Sequence, residues 1–131
     1  MSMITAMDEY LIHQTEEPIA VTVSSHPHWD DSAYFFLHDL GGQMVAFVTF
    51  EIFPNRGHAR SLMLACHEGR HYRYVWNGPL DNENRFVMQG GGIEFSIIEP
   101  KKIWRLKIDD PANGIRADLR GFFALTDLVL P

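Results

Sequence analysis

MVAFVTFEIF at residues 44–53, PNRG at 54–57 and HARSLMLACH at 58–67 decide the fold. In an extended chain every second side chain points to the same side. The first run therefore puts Phe47, Thr49, Glu51 and Phe53 on one face, with Ala46, Val48, Phe50 and Ile52 on the other. Pro54-Asn55-Arg56-Gly57 combines the residue types that bend a chain, so a turn is expected there. In His58–His67, Leu62, Leu64 and Cys66 oppose Ala59, Met63 and Ala65. Two alternating runs around a short turn predict an antiparallel hairpin. Several strands, among them Met44–Phe53 and those that hold Trp76 and Trp104, carry large apolar groups on both faces, so one face fills the core and the other is expected to meet a second layer, a partner chain or an apolar ligand.

The same signals continue outward. Upstream, Ile19–Val23 is β-branched, and Ala33–Leu37 is an aromatic strand leading into the turn His38-Asp39-Leu40-Gly41-Gly42. Downstream, Glu68-Gly69 turns the chain into Tyr72–Trp76, and His67 and His71 are expected to face each other across that hairpin. Residues 77–84 have loop composition. Strands are then expected over Arg85–Met88, Ile93–Ile98, Ile103–Ile108 and Ile115–Leu125, separated by Gly90-Gly91-Gly92, by 99–102 and by 109–114. Strands at such even spacing, with no helical pattern between them, predict an all-β chain, an antiparallel meander forming a barrel, half-barrel or sandwich. Residues 1–17 read as an N-terminal arm or a short helix through Met3, Ile4, Met7, Leu11 and Ile12, ended by Pro18; residues 18–131 form a single domain.

Composition narrows the function classes. The chain has 131 residues and a net charge of −6, with 46% hydrophobic and 21% charged residues, the balance of one globular domain. No basic stripe is present to release counterions from phosphate, which excludes general nucleic-acid binding. No apolar stretch approaches the length of a membrane-spanning helix. With one cysteine, Cys66, and no basic start followed by an apolar run in residues 1–17, the expected compartment is the cytoplasm.

Five segments in fixed order carry a resemblance. They are Trp29-x-x-Ser32-x-Tyr34-Phe35-Phe36, Gly41-Gly42, Pro54-Asn55-Arg56-Gly57, Gly91-Gly92-Ile93-x-Phe95 and Glu99-Pro100-x-x-x-Trp104-Arg105-Leu106. The set resembles the lipocalin-like superfamily of carotenoid 1,2-hydratases (hydroxyneurosporene synthases), over about residues 26–125. The resemblance implies a lipocalin-like β-barrel and an apolar, isoprenoid-like or polyketide-like small molecule. It also implies two such domains packed together, whereas this sequence covers one. The expected partner is therefore either a second copy in a homodimer or a missing second lipocalin-like domain.

Two functions follow as expectations. The first is binding of a lipophilic small molecule, with Trp29, Tyr34, Phe47, Tyr72, Tyr74 and Trp76 as lining aromatics whose hydroxyls orient a polar end; core packing is the competing role for each. The second is a hydratase, cyclase or isomerase working by acid catalysis. There Glu51, on an apolar face, would protonate an alkene unless a salt bridge to Arg60 claims it, and His58 or His67 is the alternative proton donor. His26-Pro27-His28 with Asp30 and Asp31 has metal-ligand chemistry, but also the composition of a surface loop, and neither a metal nor a cofactor is assigned. Asp118, between Arg116 and Arg120, reads as one of a row of solvated charges. Phosphate-loop, nucleophile-elbow and Cys-x-x-Cys motifs are absent.

Overall fold

A computed structural model describes residues 10–11, 22–81 and 87–122. Eight strands follow in order: β1 (Asp31–His38), β2 (Met44–Phe53), β3 (His58–His67), β4 (Arg70–Pro79), β5 (Met88–Gly90), β6 (Ile93–Glu99), β7 (Ile103–Asp110) and β8 (Ile115–Phe122). Every pairing is antiparallel, and the strands form two four-stranded sheets, β1-β2-β3-β4 and β5-β6-β7-β8. The expected all-β meander is thus observed, as two facing sheets; among the described residues no pairing closes them into a barrel. The expected N-terminal helix and the strand at 19–23 lie outside the described residues apart from Tyr10, Leu11, Thr22 and Val23, none of which belongs to a helix or strand. The first half of the expected strand at 85–88 and the end of the one at 115–125 lie outside them too.

β2 and β3 have the bounds read from the sequence, and their turn is a single 3-10 turn over Pro54–Arg56 closed by Gly57 at φ 57. At the next hairpin one expectation fails. Glu68 and Gly69 both have positive φ, 50 and 74, so the loop is only two residues long. His67 therefore pairs with Arg70, and His71 pairs with Cys66. Because neighbouring positions on a strand point to opposite sides, His67 and His71 lie on opposite faces of the sheet and do not meet.

The core lies between the sheets. Ala46, Val48, Phe50 and Ile52 of β2 and Ala59 and Met63 of β3 face Met88, Ile93, Phe95, Trp104, Leu106 and Ile108 of the second sheet, and Leu11 joins this buried cluster. Phe35 of β1 lies 4.7 Å from Phe95 and 4.6 Å from Trp104, ring centre to ring centre. On β4, Trp76 lies against Gly78, Gly90 and Gly91 so closely that a Cβ at any of the three would overlap its ring. The Gly92 N–H donates to Tyr74 Oη at 2.7 Å, and Ser61 Oγ donates to the Gly90 carbonyl at 3.3 Å. These contacts tie β3 and β4 to the β5–β6 hairpin.

The two outward faces differ. On the second sheet the outward rows are Gln89, Glu94, Lys107 and Asp118, then Ser96, Arg105 and Arg120, then Asp109 and Arg116. Arg105 Nε donates to Asp118 at 2.7 Å, so Asp118 does belong to a row of surface charges. On the first sheet the outward rows are Tyr34, Thr49, Leu62 and Val75, then Phe36, Phe47, Leu64 and Arg73, then His38, Val45, Cys66 and His71. Cys66 is part-exposed on this face.

Candidate functional site

Two facing sheets stand about 10 Å apart, a gap that only large side chains can fill from both sides. Near the Met44 end of the first sheet the inward side chains are short. Ala46 and Ala65 lie in one row with Tyr72, and across the gap β8 offers Ala117 between Ile115 and Leu119. The result is a cleft of about 380 Å³ between the sheets. Met44, Met63 and Tyr72 complete its apolar wall, and the exposed residues His67, Gly114 and Arg116 line its mouth. Methionines suit such a wall, since an unbranched thioether adapts to the shape of its neighbours.

A second depression, about 460 Å³, lies on the outward face of the first sheet over Phe36, Val45, Phe47, Leu64 and Cys66. It has one wall, a sheet, whereas the cleft has two.

Of the residues singled out by sequence, the cleft gathers Tyr72 and His67. Tyr74 and Trp76 point inward but serve the core, through the Gly92 hydrogen bond and the glycine cradle. Trp29, in the loop before β1, packs half-buried against the core cluster. Tyr34 and Phe47 stack at 6.2 Å on the outward face of the first sheet, remote from the cleft. Glu51 is on that face as well, 10% exposed at its side chain, where it accepts from Arg60 Nε at 2.8 Å and pairs with Arg60 Nη2. The salt bridge weighed for it from sequence is therefore the contact observed. His58, 5.8 Å from Phe53 ring to ring, lies diagonally from Glu51 in the same hairpin. His58 and His67 begin and end β3, about 30 Å apart at strand rise, so the three candidate proton donors do not form one site.

His26 and His28 form a local turn in which the His28 N–H donates to His26 Nδ1 at 3.1 Å. Among the described residues no three His, Cys, Asp or Glu side chains are grouped to hold a metal ion. Among them also, no helix is long and apolar enough to cross a membrane.

Sequence reading missed Ala46, Ala65 and Ala117, the residues that make the cleft by being small. An alanine on an apolar strand carries no signal of an empty space; only the register that sets three of them around one gap does.

No curated protein and no solved structure matches the chain. Residues 4–129, which span both sheets and the cleft between them, match the family of unknown function DUF8625, and the chain belongs to that family.

Proposed function

We propose that this chain binds a lipophilic small molecule, isoprenoid-like or polyketide-like in bulk, in the cleft between β2–β4 and β8. The observation that carries this reading is the gap left by Ala46, Ala65 and Ala117 inside an otherwise packed core, with a volume of about 380 Å³. That size lies toward the lower end of small-molecule sites, roughly 300–1,000 Å³. Its wall is apolar, with Tyr72 as a polar handle and His67 and Arg116 at the mouth. The lipocalin-like segments noted in the sequence support the same ligand class. Acid catalysis draws less support. The described lining holds no carboxylate, and Glu51 faces away from the cleft, paired to Arg60.

Retinol, an isoprenoid alcohol, serves as the probe, titrated while energy transfer from the tryptophans is followed. Saturable binding to the native chain is expected. Ala117→Phe, which fills the gap, should weaken it at least about tenfold, with an unchanged circular dichroism spectrum. Equal affinity in Ala117→Phe would remove the cleft as the site, and no saturable binding to the native chain would remove the proposal.

A further inference from the structure

We infer that the outward face of the first sheet binds a linear apolar carboxylate of medium chain length, laid across the strands with its acid group at Arg73. This site is separate from the cleft, which lies on the sheet's other side.

The register builds the site. Phe36, Phe47, Leu64 and Arg73 are opposed on β1, β2, β3 and β4, so one row runs through three apolar side chains and ends in a guanidinium. The neighbouring row passes over Val45 and Cys66 and ends on β4 in His71, whose imidazole can also donate to an anion. The depression of about 460 Å³ lies over these two rows. At its β1 end Phe36 is 78% exposed, with its ring centre 4.7 Å from that of Phe47. Exposed apolar surface of this kind marks a binding surface, and this one is apolar at one end and cationic at the other. With strands about 4.8 Å apart, β1 to β4 spans roughly 14 Å, close to the length of an extended ten-carbon acid.

Charge selects the occupant. Arg73 is exposed and makes no ion pair or hydrogen bond among the described residues. Among the outward strand positions of this sheet the one acid is Glu51, and Arg60 already holds it. In a chain of net charge −6, the end of these rows is thus a local positive site without an internal counterion. A guanidinium takes a carboxylate in a two-pronged hydrogen-bonded fork, which an alcohol cannot reproduce and an ammonium head would oppose. An alkyl chain running from that fork toward Phe36 covers the apolar part of the row.

The one cysteine reports on the site directly, since Cys66 lines the depression and is part-exposed. Decanoate, below its micellar concentration, is the probe, and the rate of Cys66 alkylation by iodoacetamide is the readout. Saturable protection is expected, with decanol at least about tenfold weaker. Arg73→Gln should remove that preference by weakening decanoate alone, whereas Phe36→Ser should weaken acid and alcohol alike. Both parent side chains are exposed, so the variants should keep the native circular dichroism spectrum. Ala117→Phe, which fills the cleft, should leave the protection unchanged. No saturable protection overturns the inference, and so does equal protection by decanol or an unchanged midpoint in Arg73→Gln. Protection lost in Ala117→Phe would place the acid in the cleft and overturn it as well. Protection by phosphatidylglycerol vesicles but not by decanoate would assign the face to a lipid surface instead.

Discussion

Thr49 lies at the centre of β2 and is 1% exposed, and its Oγ1 has no hydrogen-bond partner among the described residues. Across the strands it is flanked by Tyr34 and Leu62, and along β2 by Phe47 and Glu51. Burying a hydroxyl without a partner costs about 1–3 kcal/mol in protein substitution series. Valine keeps the β-branch and nearly the same shape while replacing the hydroxyl by a methyl group, and both residues favour strands. Thr49→Val is therefore expected to stabilise the fold by about 1–2 kcal/mol, raising Tm by roughly 3–8 °C for a domain of this size. Thr49→Ser keeps the hydroxyl and deletes a buried methyl, so it should destabilise by about 1 kcal/mol. Urea titrations read both effects as shifts of the midpoint in opposite directions at constant slope. A lower midpoint for Thr49→Val would refute the reasoning, because the hydroxyl would then be satisfied in the folded state.

Two further outcomes concern charged groups. Arg60→Ala strands the buried Glu51 carboxylate without its partner and should cost about 2 kcal/mol in urea titration, whereas Glu51→Leu leaves the half-exposed Arg60 free to reach water and should cost clearly less; equal losses would contradict that asymmetry. Asp39 accepts from the Met44 N–H at 2.7 Å, and this backbone hydrogen bond above all holds its carboxyl below the usual carboxylate range. Its stabilising contribution is therefore present above the unfolded value, near 3.9, and is lost as the pH falls through the lower folded one. Asp39→Asn, which does not titrate, should lose less stability than the native chain between about pH 4 and 2, measured as urea midpoints; parallel acid limbs would rule the contact out.

Strand positions were legible because alternation and turn chemistry agree, as in β2 and β3, where Pro54 to Gly57 leaves no room for slippage. The inward face of β2 was not legible. Val45, Phe47 and Phe53 compete with Ala46, Val48, Phe50 and Ile52 on apolar character alone, and a strand that is apolar on both sides has no binary pattern to orient it. The meeting of His67 with His71 failed for a related reason. The Glu68-Gly69 turn was read correctly, but a two-residue loop pairs His67 with Arg70, so His71, one position further on, falls on the other face. The cleft was hidden because it is built of what Ala46, Ala65 and Ala117 lack, whereas the Glu51–Arg60 bridge was visible because i and i+9 around a four-residue turn meet on one face.

The order in which the strands pair has a consequence for how the chain reaches its fold. Within each sheet every strand pairs with its neighbour in sequence, β1 to β4 and then β5 to β8. Each pairing thus closes a short loop, and closure entropy rises with loop length. Relative contact order is low for an all-β protein, which favours folding faster than in Greek-key sandwiches of similar length. The docking of the two meanders is therefore the step expected late, and Trp76 entering its cradle of Gly78, Gly90 and Gly91 would be part of it. Bulk added at these glycines should slow the closing of the sandwich more than the formation of either hairpin array.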